Sequence, residues 1–70
     1  MKFGEYLRNR RLELGWTQPE AAAKADIEQS YLSKLETGRS YPSQDVFERL
    51  ATAFGLEPEA LAVVVSPDVV

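Results

Sequence analysis

Apolar side chains in this chain recur at intervals of three and four residues, and strand-like alternation is missing, so the hydrophobic pattern predicts helices. Phe3, Leu7 and Leu14 share one face of a first helix, and Gly15 follows where a left-handed residue is needed to stop it. Thr17 opens a second helix. In Thr17-Gln18-Pro19-Glu20 the Thr hydroxyl can accept a first-turn N–H while Glu20 reaches back, and Pro19 falls where its missing donor costs little. This helix runs through Ala21, Ala22 and Ala23 to about Ala25, and its small side chains permit close approach of a neighbour. Asp26 and Ile27 form a tight turn, with Ile27 plugging the core, before a third helix over about 28–37 that buries Leu32 and Leu35. Gly38 ends it. After the loop Arg39-Ser40-Tyr41-Pro42, Ser43 caps a fourth helix carrying Val46, Phe47, Leu50 and Phe54, which Gly55 stops. Pro58 begins a brief fifth, with Leu61 and Val64 on its apolar side. The expected fold is all-α, a compact set of five short helices.

Seventy residues make one domain at most, expected over residues 1–64, with 65–70 as a C-terminal tail or linker. Cysteine and histidine are both absent, which excludes disulfides and the usual metal sites and leaves association as the remaining support for a small core. No transmembrane span is expected, because the longest apolar run, 60–65, is far too short for a bilayer. With no cysteine and no signal-peptide pattern, the chain reads as cytoplasmic. Its ending, Pro67-Asp68-Val69-Val70, has the look of a linker and is compatible with this being the head of something longer.

A capped helix holding three alanines, a turn of about three residues, and a helix with two buried leucines together make a helix-turn-helix unit. The run Thr17-Gln18, Ala22-Ala23, Ile27, Tyr31-Leu32-Ser33-Lys34-Leu35-Glu36, Gly38, Pro42-Ser43 resembles the lambda-repressor-like, or XRE, family of helix-turn-helix domains. The resemblance covers roughly residues 3–64. It implies a five-helix domain that binds operator DNA sequence-specifically, with the third helix in the major groove. It also implies that Arg11 and Glu36 are partners in a buried, structural ion pair.

Recognition of duplex DNA needs contacts that set position and contacts that read bases. For position, Gln18 lies at the N-terminus of the second helix, where free backbone N–H groups and the helix dipole favour a phosphate and its amide adds a donor. Arg39, Ser40, Tyr41 and Ser43 fall where the family places a second backbone clamp, and each can donate to a phosphate oxygen. Tyr41 has two readings, since an aromatic before proline packs against a loop as readily as it reaches DNA. For sequence, Gln29, Ser30, Ser33 and Lys34 form the face of the third helix turned away from Leu32 and Leu35. Gln29 can pair bidentately with adenine, the serines adapt to several bases, and Lys34 suits guanine O6 and N7.

Net charge is −3, the wrong sign for an unspecialised nucleic-acid binder. Its distribution softens the objection: residues 1–39 carry seven basic and six acidic side chains, whereas beyond them Arg49 stands against Asp45, Glu48, Glu57, Glu59 and Asp68. Two residues depart from the family pattern. Glu28 replaces the common Ser or Thr cap, either capping the third helix itself or marking a domain that has drifted from DNA. Arg10 stands where an apolar residue is usual, with Leu12 the candidate to compensate.

The sequence has no Ser-His-Asp set, cysteine nucleophile, metal-ligand cluster or phosphate-cradling glycine loop, so no catalysis and no cofactor is expected. The functional expectation is a transcriptional regulator, a repressor or autoregulator, binding a palindromic operator as a homodimer. Two-fold symmetry would set recognition helices about 34 Å apart. Helices four and five supply the dimer surface, with Val63 to Val65 its best candidates and core packing the main use of Phe47, Leu50 and Phe54. The rival is a protein-interaction module that kept the fold and lost the DNA.

Overall fold

The structure, a computed structural model, describes residues 2–56. Four α-helices in chain order, α1 (Phe3–Glu13), α2 (Gln18–Ala25), α3 (Gln29–Thr37) and α4 (Gln44–Phe54), make up its regular structure, and no strand occurs among the described residues. The fifth helix expected from Pro58, the apolar positions Leu61 and Val63 to Val65, and the tail 65–70 lie outside the described residues.

The punctuation acts as its chemistry dictates. Thr17 Oγ1 accepts the Glu20 N–H at 3.3 Å, and the Glu20 carboxylate accepts the Thr17 N–H at 2.8 Å. This reciprocal cap starts α2, with Pro19 in the first turn. Ser43 Oγ accepts the Val46 N–H at 3.2 Å and starts α4. Gly38 ends α3 at φ 82°, a left-handed conformation that a Cβ would strain. Between α2 and α3, Asp26 takes the left-handed conformation itself (φ 56°), and the Ile27 N–H reaches back to the Ala22 carbonyl at 2.9 Å. Aspartate is among the few side chains that tolerate this region.

Phe3, Leu7, Ala21, Ala22, Ala25, Leu32, Leu35, Leu50, Phe54 and Leu56 form a single core, each less than a tenth exposed. Ile27 packs on it half-buried, as do Val46 and Phe47. Trp16 closes one side, edge-on to Phe54 with ring centroids 5.5 Å apart, and Lys24 Nζ lies 5.0 Å from the Trp16 ring centre. Because α4 spends Leu50 and Phe54 inside its own domain, these two are core residues and not interface residues.

Arg10 and Leu12 arrange themselves differently from expectation. Leu12 is 51% exposed and compensates for nothing. Arg10 instead earns its place through a hydrogen bond, its Nε donating to the Phe54 carbonyl at 2.8 Å, where the last carbonyls of α4 lack helical partners.

Gly4 was not singled out by pattern, yet it sets how α1 meets α3. A Cβ placed there would lie 2.5 Å from the Leu35 and Glu36 carbonyl oxygens, backbone that no side-chain rotation can move aside. Gly4→Ala is therefore expected to lower unfolding free energy by about 1–3 kcal/mol, the usual cost of overpacking. Urea unfolding followed by Trp16 fluorescence measures it, and an unchanged midpoint would show that the two backbones are not in contact.

Candidate nucleic-acid interface

The third helix is nine residues long, too short to persist in water unaided, so its orientation is imposed by what holds it. Leu32 and Leu35 are fully buried on one side. On the same helix Glu36 points inward to Arg11 of α1: Arg11 Nε donates to Glu36 Oε2 at 2.6 Å and a terminal guanidinium nitrogen donates to Oε1 at 3.2 Å. Both residues are 8% exposed. The remaining fork nitrogen of Arg11 donates to the Trp16 carbonyl at 2.9 Å, so the guanidinium is engaged on three sides. Gln18, the first residue of α2, adds a fourth strand to this network, its Nε2 donating to Glu36 Oε1 at 3.1 Å.

With these groups inside, the opposite face of α3 is left to solvent. Gln29, Ser30 and Lys34 are exposed and Ser33 is half-buried. The Thr37 hydroxyl donates to the Ser33 and Lys34 carbonyls at 3.0 and 3.3 Å, but among the described residues none of the four polar side chains is itself hydrogen-bonded. The four polar positions thus form one accessible strip from the N-terminus of α3 to its middle. Glu28 occupies the N-cap position in extended backbone, but its carboxylate makes no capping hydrogen bond, so side-chain capping of this helix does not occur. Among the described residues, the first-turn N–H groups of α3 and the Glu28 carboxylate have no hydrogen-bond partner.

The loop after α3 is folded back on it. The backbone N–H groups of Arg39 and Ser40 both donate to the Lys34 carbonyl, at 2.9 and 3.2 Å, which leaves the Arg39 side chain exposed next to the strip. Tyr31, half-buried on α3, donates its hydroxyl to the Tyr41 carbonyl at 3.4 Å, a tie that pattern reading did not foresee. Tyr41 is 66% exposed, so most of it stands in solvent. Ser43 is exposed at the start of α4, and because its Oγ already accepts the Val46 N–H, what it retains is a hydroxyl hydrogen to donate.

At the N-terminus of α2 the supply of free donors is smaller than the sequence suggested. Pro19 has no N–H, the Glu20 N–H is held by Thr17 Oγ1, and the Ala21 N–H donates to the Thr17 carbonyl. Gln18 alone keeps its backbone N–H open there, and its side-chain amide is already bonded on one side to Glu36. The Thr17 backbone N–H, with the Thr17 hydroxyl second and Lys24 last, holds the Glu20 carboxyl below its ordinary value of 4.5. Among the described residues, no group of three or more His, Cys, Asp or Glu side chains is placed to hold a metal, and no helix is long and apolar enough to cross a membrane.

Residues 2–64 match the family model described as a helix-turn-helix domain. The chain belongs to that family, in its lambda-repressor-like branch. It is 41% identical over 56 residues to the HTH-type transcriptional regulator DdrOP3 of Deinococcus deserti, covering 80% of this chain and 43% of the relative. It is 34% identical over 61 residues to the immunity repressor protein of Bacillus phage phi105, covering 87% of this chain and 42% of the relative. It is also 34% identical over 53 residues to the uncharacterized HTH-type transcriptional regulator YqaF of Bacillus subtilis, covering 76% of this chain and 70% of the relative. The chain therefore spans less than half the length of the first two. No solved structure matches it.

Two outcomes are expected from the network behind the strip. Arg11→Ala, which strands the Glu36 carboxylate in the interior, should lower unfolding free energy by about 3–5 kcal/mol in urea titration. That is a large part of the roughly 4–10 kcal/mol usual for a domain this size, so a loss under 1 kcal/mol would show the pair to be solvated. For Glu20 the folded value lies below the unfolded one, so its stabilisation is present at neutral pH and fades as pH falls through the folded value. The stability gap between the parent and Glu20→Ala should accordingly narrow as pH falls below the ordinary value of 4.5, and a gap independent of pH would exclude the cap as its source.

Proposed function

We propose that this chain is the DNA-binding domain of a transcriptional regulator, of the repressor or autoregulator type, with α3 lying in the major groove. The observation that carries the reading is the open strip Gln29, Ser30, Ser33 and Lys34 on a helix whose other side is anchored by two buried leucines and a buried ion pair. In the groove Gln29 pairs with adenine, Lys34 with guanine, and the two serines with whichever base edge they meet. Gln18, Arg39, Ser40, Tyr41 and Ser43 clamp the phosphates on either side of the groove. The names of the relatives, transcriptional regulators and a phage repressor, support the same role.

The operator is a palindrome read by a homodimer, since one domain presents a single short reading helix and a second copy doubles the site. The protein works in the cytoplasm, without catalysis and without a cofactor. The dimer surface proposed beyond α4 lies in the residues outside the described part of the chain.

Fluorescence anisotropy with duplexes recovered from a random library tests the reading directly. Affinity should fall steeply between two salt concentrations, because each neutralised phosphate contributes about 0.9 to the slope of log affinity against log salt. Salt-independent or absent binding would instead identify a protein-interaction module that retains the fold. Lys34→Ala should relax base preference at one operator position by about 1–3 kcal/mol, whereas Arg39→Ala should weaken every duplex alike and reduce the salt slope by about one. If both variants lost the same affinity for every duplex, the assignment of reading to one and clamping to the other would be wrong.

A further inference from the structure

The hydrogen bond from Gln18 to Glu36 joins the first residue of α2 to the far end of α3, eighteen positions along the chain. Its direction is fixed by chemistry: Glu36 is the carboxylate that takes the Arg11 fork and has no hydrogen to give, so the amide nitrogen of Gln18, not its oxygen, must face it. An amide nitrogen carries two hydrogens. Glu36 takes one, and among the described residues the other has no acceptor. Rotation about the side chain is meanwhile restrained by a bond to a group that is itself locked, since Glu36 is 8% exposed and held by two Arg11 nitrogens.

We propose that Glu36 is a positioning residue for DNA binding, acting through Gln18: it fixes the amide so that the second N–H is held ready for a phosphate at the α2 N-terminus. The inference rests on DNA being the partner. Its content is that the phosphate clamp and the reading helix form one hydrogen-bonded unit, phosphate to Gln18 to Glu36, with Glu36 lying on α3 itself. A phosphate seated on Gln18 then sets the angle at which Gln29 and Lys34 enter the groove. An amide already held in place also loses less rotamer freedom on binding than a free glutamine would. Since the donor is neutral, this contact strengthens binding without releasing a counterion from the phosphate, which separates it from Arg39.

The test uses the parent protein, nitrogen-15 labelled, titrated with a duplex recovered by binding-site selection. The two hydrogens of the Gln18 side-chain amide should give separate signals in the free protein, the one on Glu36 exchanging slowly with water. On adding duplex, the other signal should shift while the first stays put. A second measurement is a double-mutant cycle of Gln18→Met and Glu36→Gln, with duplex affinity read below the melting temperature of each variant. Gln18→Met should bind every duplex about tenfold more weakly with the salt slope unchanged. Glu36→Gln should lower melting temperature in either background but cost affinity only where Gln18 is present. Equal and independent losses of affinity, an unaltered Gln18→Met, or a Gln18 amide unmoved by a duplex that shifts Gln29 and Lys34 would each overturn the coupling while leaving DNA binding intact. If no duplex binds at all, the DNA reading falls, and this inference with it.

Discussion

The guanidinium of Arg11 seated on the carboxylate of Glu36 is the contact on which the rest of the arrangement depends. Removing two charges from water is expensive, and replacing such a pair with apolar groups is often neutral or better, so the pair is poor evidence of high stability. What it supplies is direction. A planar fork with fixed donor angles accepts few orientations of a carboxylate, whereas a leucine at position 36 would tolerate many. With Arg11 also bonded to the Trp16 carbonyl, the pair ties α1, the α1–α2 connection and α3 into one relation.

The helix-turn-helix unit is consequently pinned at both ends. At the turn, Arg49 of α4 donates to the Asp26 carbonyl at 3.0 Å while its other nitrogen holds Asp45 at 2.8 Å. At the open end, Gln18 and Arg11 both hold Glu36. Between these ends the alanines of α2 let the two helices approach, and Gly4 lets α1 reach the α3 backbone. A short helix restrained along its inner side in this way has little freedom to roll, which is what the proposed reading of bases from its outer face would require.

Much of this was legible in the sequence because much of it is local. Thr17 with Glu20, Gly38 after Leu35, and Ser43 before Val46 act on residues within three or four positions of themselves, and those caps form as their spacing indicates. The illegible parts are contacts between residues far apart in the chain. Arg10 to Phe54 spans 44 positions, and nothing near Arg10 announces it; the same arginine pattern suggested only a misplaced polar residue with Leu12 as substitute. Gly4 looked like an unremarkable helix residue because its role is the absence of a Cβ facing another helix's carbonyls. Gln18 was placed at the right end of the right helix, but its bond to Glu36 depends on how α2 and α3 fold together, which spacing alone does not encode.

Net charge would have argued against DNA, and the structure explains why it is a poor guide for this chain. Of the acidic residues before position 40, Glu5 accepts the Lys2 N–H, Glu13 pairs with Arg10, Glu20 caps α2, Asp26 lies 3.8 Å from Arg49, and Glu36 is buried against Arg11. Lys34 and Arg39, by contrast, are exposed and take part in no ion pair among the described residues. Charges already engaged project a weaker field than free ones, and at physiological salt an exposed charge is largely screened beyond about 8 Å. What an approaching phosphate meets is therefore set by the nearest unpaired groups and not by the sum over the chain. Glu28 is the exception among those acids, a carboxylate at the N-cap of α3 with no hydrogen-bond or ion-pair partner among the described residues. On the proposed reading of DNA as the partner, its repulsion would act on every phosphate backbone alike, lowering affinity for all duplexes while subtracting nothing from the difference between one base sequence and another.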